Sequence, residues 1–286
     1  DYVNTQIIYS THSTHISEVS KIKNTNIISK TERGCVAFQP STDLSVSQIT
    51  FVERYLDAIR SNLLFAKSVV LVEGDAEEIL IPVLVEKVFG VSLDELGITL
   101  VNMRSTGFEN IALLFHDVRI QKKCSVITDL DSLFFDATIN LGDSVSVIKT
   151  KVKAQGSNDK GAARKVALDN LCNGNNWLSP FYAKHTFEVD FVESGNSKYL
   201  IDILDSVYLD QSTKNKSKRE LGSVIAASGA RALTMANHQG KGWFAITLSN
   251  SIDFNVTIPE YIVDAIIFAH GKFSDQVIYE IINYRF

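Results

Sequence analysis

SVVLVEGDAEEILIPVLVEKVF, residues 68–89, decides the fold. Its opening run, Ser68 to Val72, is apolar with no polar alternation, as in a strand buried on both faces. Gly74 ends the run, and AEEILIPVLVEKVF reads as a helix. The pattern then repeats. GITLVNM (97–103) is a strand, FENIALLFHDVRIQ (108–121) a helix and CSVITDLD (124–131) a further strand. Apolar strands alternating with helices predict an α/β fold, a parallel sheet with helices on both faces. At the turn between the first strand and helix stand Glu73, Asp75, Glu77 and Glu78. Carboxylates packed so closely repel one another and resist losing water, so a cation is expected among them.

Working outward, residues 185–191, HTFEVDF, alternate like a later strand, and helices are expected around 196–208, 217–237, 241–250 and 259–269. Upstream, Ile49, Val52, Leu56, Ile59 and Leu63 recur at helical spacing, so 45–66 reads as a connecting helix. Residues 136–180 are polar and weakly periodic, and VKAQGSNDKGAARK (152–165) looks the most loop-like; this stretch reads as an insertion. Strands at 5–9 and 26–28 with a helix between them, capped by Ser13 or Thr14, form a separate piece. An apolar strand ending in Thr-His-Ser without partner strands reads as the last part of a domain whose remainder is absent. The expected division is 1–44, 45–66 and 67–286.

The chain has 286 residues, 45% of them hydrophobic and 21% charged, an ordinary globular balance. Its apolar runs are far shorter than the ~20 residues that span a bilayer, so no membrane partner is expected. Cys35, Cys124 and Cys172 lie far apart without CxxC spacing, which favours neither zinc nor disulfides and suggests a cytoplasmic setting. With a net charge of −5, nucleic-acid binding would need a local basic patch.

Ligand sites of open parallel sheets lie beyond the carboxyl ends of the strands. Glu73 ends the first strand and Glu77 returns to the same volume one turn later. Asp129 and Asp131 end the third. Glu188 and Asp190 repeat the device in HTFEVDF, where Phe187, Val189 and Phe191 face inward. So many hard oxygen donors suit Mg²⁺ or Mn²⁺. Asp75, Glu78 and Asp136 are read as outside the set.

At these residues a resemblance becomes specific. Glu-Gly at the end of the first strand and Asp-x-Asp at the end of the third resemble a Toprim domain. RYLDAIRSNLLFAKSVVLVEGDAEEIL, TFEVDF, GKGWFAITLS and IPEYIVDAI together resemble the OLD (overcoming lysogenization defect) nucleases, relatives of the Gabija nuclease subunit, which join an ABC-type ATPase to a C-terminal Toprim domain. The resemblance implies a metal-dependent DNA endonuclease or nickase, gated by ATP and acting in anti-phage defence. It implies two divalent ions at Glu73, Glu77, Asp129 and Asp131 with one of Glu188 or Asp190, and Lys241 as the catalytic lysine. It makes His12 the γ-phosphate-sensing residue of the ATPase remnant. No Gly-x-x-x-x-Gly-Lys-Ser/Thr occurs, so ATP would need a further part of the protein. DNA, further copies of the chain and a helicase-type subunit are the implied partners. Lys149, Lys151, Lys153, Lys160, Arg164 and Lys165 are candidates to hold the DNA backbone, with a second basic group at Lys214, Lys216, Lys218 and Arg219. Two rival readings remain: a non-catalytic Toprim scaffold, and topoisomerase- or primase-like chemistry.

Overall fold

The computed structural model describes residues 6–31, 34–56, 60–104, 108–238 and 240–272. Its centre is a four-stranded sheet of order β4-β3-β5-β6, built from β3 (Ser68–Val72), β4 (Ile98–Asn102), β5 (Cys124–Asp129) and β6 (Leu178–Ala183). All three pairings are parallel. An antiparallel pair, β1 (Ile27–Thr31) and β2 (Gly34–Phe38), forms a separate sheet. The helices are α1 (Thr14–Val19), α2 (Val46–Tyr55), α3 (Asp75–Phe89), α4 (Leu93–Leu96), α5 (Phe108–Ala112), α6 (Val145–Cys172), α7 (Phe187–Phe191), α8 (Ser197–Asp202), α9 (Leu204–Val207), α10 (Gln211–Leu221), α11 (Ile225–His238), α12 (Lys241–Ser249) and α13 (Glu260–His270).

The unbroken apolar run of β3 is explained by what lies on each side of it. Val70 and Val72 enter one core with Leu80 and Leu84 of α3, Ala245 of α12 and Ile262 of α13. Val69 and Leu71 enter a second core with Val52, Leu63, Phe108 and Leu168. Every residue of the strand is buried, so no polar position could alternate. Ile22 and Ile27 join the second core. The N-terminal hairpin thus lies outside the four-stranded sheet yet shares apolar packing with it. Among the described residues, no helix is long and apolar enough to cross a membrane.

Several expectations need correction. The strand expected at 5–9 is absent over residues 6–9, where Ile7 and Ile8 are exposed; among the described residues no partner strand satisfies their backbone. Ser13 is the N-cap of α1, but its side chain makes no capping bond. The connecting helix ends at Tyr55, and a 3₁₀ turn covers Arg60–Leu64. Only 108–112 of the helix expected at 108–121 forms.

The largest correction is at 136–180. Its supposedly loop-like centre lies within the 28-residue α6. Only Gly161 and Leu168 of that helix are buried, which leaves almost no apolar stripe to read. The same region supplies β6, whose Pro180 sits on the sheet edge, where a missing N–H is tolerated. HTFEVDF, expected as a strand, contains α7. All five residues of that helix are buried, so its period-2 pattern carries no information about an exposed face.

Candidate metal centre

β3 and β5 are neighbours, which brings Glu73 and Asp129 to adjacent strand ends. Thr128 donates its hydroxyl to Glu73 at 2.8 Å and fixes that carboxylate over the sheet. Glu77, in the first turn of α3, is buried. Burial pushes its carboxyl up to about 7, with the Glu188 and Glu73 charges adding to the rise and Lys241 opposing it. Asp129 is driven well above the usual carboxylate range by burial, then by Glu77 and Glu188. Burial also raises Asp131, against the pull of Arg164. Asp131 adopts a φ of 52°, a left-handed conformation in which aspartate is enriched. Its N–H bonds the His185 carbonyl at 2.9 Å.

Lys241 is the first residue of α12, preceded by Gly240 at a φ of 97°. That left-handed entry favours glycine. The lysine ammonium stands 2.9 Å from Glu188 Oε1. Burial alone would lower its pKa, but Glu188, Asp129 and Glu77 outweigh it and hold it above an ordinary lysine. Lys241 therefore reaches the acidic group from a helix far away in sequence. The Glu188 side chain is fully buried, and its other oxygen accepts from Thr186 at 2.9 Å.

Glu188 and Asp190 take different directions. Asp190 accepts the backbone N–H of His185 at 3.1 Å. With His185 and Glu193 it forms the one three-donor group among the described residues whose atoms fall within 4.8 Å of one another. His185 Nδ1 lies 2.6 Å from the Ser132 carbonyl, and Lys184 pairs with Glu193 at 3.2 Å.

Asp75 and Glu78 point elsewhere: Asn102, at the end of β4, donates to both at 2.9 and 2.7 Å. Asp136 lies in a loop and caps the N–H of Thr138. His12 is exposed, in the irregular segment before α1.

Two residues that the sequence reading does not include in the acidic set belong beside it. Arg164, expected only as a DNA contact, donates to the Asp129 carbonyl at 2.6 Å and lies 3.5 Å from Glu73 and 3.3 Å from Asp131. The Tyr261 hydroxyl is buried without a hydrogen-bond partner among the described residues. Burial first, then Asp129 and Glu77, pushes its pKa well up. The donor set fits a hydrated divalent ion: the oxygens are hard, two of the carboxylates are short of cations, and Tyr261 is an orphan that bound water would satisfy.

The basic residues also separate. Lys149, Lys153, Lys160 and Arg164 fall within about 60° on one side of α6, a stripe that contains no acid. Lys151 and Lys165 lie off it and are paired with Asp143 and Asp169 at 2.8 and 2.6 Å. Lys214 of the second basic group pairs with Asp205 at 2.7 Å.

Residues 64–131 match the family described as overcoming lysogenization defect protein-like, TOPRIM domain. This chain carries an OLD-like Toprim domain. Its structure is similar to the C-terminal region of the Burkholderia pseudomallei OLD protein, with a TM-score of 0.53 and 22% identity over 72% of this chain and 98% of that one. The C-terminal region of the OLD protein from Xanthomonas campestris pv. campestris gives a TM-score of 0.51 and 20% identity, over 72% of this chain and 95% of that one. At such identities the likeness is one of fold. A search of curated proteins found no significant match. Toprim domains generally bind divalent metals. The family match ends at Asp131, so the placing of Glu188, Lys241 and Arg164 rests on this chain's own geometry.

The pH dependence of the site has a definite sign. A carboxyl held at about 7 when folded, against an ordinary value of about 4.3 unfolded, favours the folded state at low pH. That contribution is lost as pH rises through 7. A divalent ion takes the proton's place, and its binding releases the proton. The rise in melting temperature on adding Mn²⁺ should therefore be larger at pH 8 than at pH 6, and Glu77→Gln should narrow the difference. Equal shifts at both pH values would contradict this account of Glu77.

Proposed function

We propose that this domain is a metal-dependent DNA endonuclease or nickase of the OLD type, gated by ATP in a longer protein and serving anti-phage defence. The observation that carries the chemical part is Lys241 standing among Glu77, Asp129 and Glu188 at the carboxyl edge of a parallel sheet. Carboxylates without a lysine could merely bind a cation. A lysine that keeps its charge beside them can meet the charge that develops on a phosphodiester during cleavage.

Glu73, Glu77, Asp129, Asp131 and Glu188 would hold Mg²⁺ or Mn²⁺, two ions in this reading. Such ions supply Lewis acidity and a nucleophile at neutral pH. The chain's own parts do the rest. Thr128 and Thr186 orient Glu73 and Glu188, and α7 keeps Glu188 out of water. His12 and the first 44 residues belong, in this reading, to the ATPase side. DNA is the substrate; further copies of the chain and a helicase-type subunit are proposed partners, in the cytoplasm.

The test is supercoiled plasmid incubated with the full-length protein and Mg²⁺, Mn²⁺ or EDTA. Relaxed or linear product should form with metal and disappear with EDTA. Persistence of intact plasmid under every metal condition would defeat the nuclease reading.

The stripe on α6 is proposed as the track for the DNA backbone. Each phosphate contact steepens the salt dependence of binding by about 0.9 in log–log slope. Lys149, Lys153 and Lys160 changed together to Gln should flatten that slope by about 2–3. Changing the paired residues Lys151 and Lys165 to Gln should leave it nearly unaltered. A reversed ranking would remove α6 from the DNA path.

A further inference from the structure

The acidic group is served by two cations that come from opposite directions. Lys241 approaches from α12 and touches Glu188. Arg164 approaches from α6 and lies against Glu73 and Asp131, with the Asp129 carbonyl accepting at 2.6 Å. Its position is built. Gly161, one turn earlier, lies so close to the strand-end loop that a Cβ there would stand 1.8 Å from the Leu130 carbonyl oxygen. That approach delivers Arg164 to the edge of β5. The Arg164 side chain is largely buried, 17% exposed, and its Nε makes no hydrogen bond among the described residues. A buried planar fork between two carboxylates is a stronger and more directional partner than a solvated lysine. No three donors of this carboxylate set lie within 4.8 Å of one another among the described residues, and the guanidinium contacts both Glu73 and Asp131.

We propose that Arg164 is the resident counter-ion of the Glu73–Asp131 half of the centre, so that divalent ions load in two unequal steps. The half formed by Glu77, Asp129 and Glu188 takes its ion with Arg164 in place. An ion at Glu73 and Asp131 enters only as the guanidinium leaves, and the affinity of that step is reduced by the contacts that must be broken. The released Arg164 stands at the end of the α6 stripe, where a backbone phosphate can replace the carboxylates as its partner. Metal occupancy and DNA engagement are thereby coupled through one side chain.

This inference rests on the metal-centre reading above, and its test separates the two. Mn²⁺ is titrated into the full-length protein by calorimetry, with free Mn²⁺ followed by electron paramagnetic resonance. Wild type should show a tight step and a second step at least tenfold weaker. Arg164→Gln should tighten the second step about tenfold and leave the first within threefold. Arg164→Lys, which keeps a charge but loses the fork, should fall between them and guards against a folding defect in the glutamine variant. Both steps unchanged in Arg164→Gln and Arg164→Lys, or the second step weakened in both, overturns the counter-ion role while the metal centre stands. Absence of any Mn²⁺ binding by wild type overturns both.

Discussion

Lys241→Ala is expected to lower the turnover of plasmid cleavage by about a hundred- to a thousand-fold, the usual effect of removing one preorganised donor to developing charge. Mn²⁺ binding and DNA binding should change far less, because the ammonium serves the transition state more than the ground state. The reason lies in its placement. Three carboxylates hold the Lys241 charge in place, and its side chain remains 44% exposed, so the group is pinned at one end and open to a phosphate at the other. Lys241→Arg should rescue poorly, since a planar guanidinium does not fit where a compact ammonium meets a buried carboxylate. One complication is structural: in the alanine variant the fully buried Glu188 loses its partner, and a buried unpaired charge destabilises the fold. Lys241→Ala combined with Glu188→Gln removes both charges and should melt closer to wild type than Lys241→Ala alone while remaining inactive. Cleavage by Lys241→Ala near the wild-type rate would end the catalytic assignment without touching the metal centre.

What could be read from the sequence follows from how each element is buried. β3, β4 and β5 are short apolar runs, β3 and β5 ending at an acid and β4 starting after Gly97, and a strand covered on both faces has no other way to appear. The ends of β3 and β5 also announce their chemistry, because Glu73, Asp129 and Asp131 interrupt apolar runs at the side of a parallel sheet where ligands bind. α6 left no such trace. It is long but mostly solvated, it fully buries only Gly161 and Leu168, and glycines at 156 and 161 argue against a helix locally. From the sequence, Arg164 accordingly reads only as a contact for the DNA backbone. α7 misled for the opposite reason: a helix buried all round need not show helical periodicity, and five alternating residues mimic a strand. Tyr261 had no signal at all, since an orphaned hydroxyl is a property of packing.

Gly161→Ala should release α6 from the sheet. The added methyl would lie 1.8 Å from the Leu130 carbonyl oxygen and 2.5 Å from its carbon, so a backbone must move. The strand-end loop is the less able to do so. Leu130, Asp131 and Ser132 donate their N–H groups to Ala183, His185 and Lys184 at 2.9, 2.9 and 3.0 Å, which ties the loop to the edge of β6. α6 is anchored by few buried side chains, so the helix yields. The energetic cost is therefore bounded by the undocking of one helix, about 1–3 kcal/mol as for other overpacked sites, or a fall of several degrees in melting temperature at about 2–4 °C per kcal/mol. Amide exchange should accelerate across 145–172 while 130–132, β3 and its neighbour β4 keep their protection. Arg164 would leave Glu73 and Asp131 with the helix, so the second Mn²⁺ step should tighten as it does in Arg164→Gln, from a substitution that removes no charge. Unchanged exchange in α6 together with a melting point within about a degree of wild type would show that the helix does not lie against Leu130.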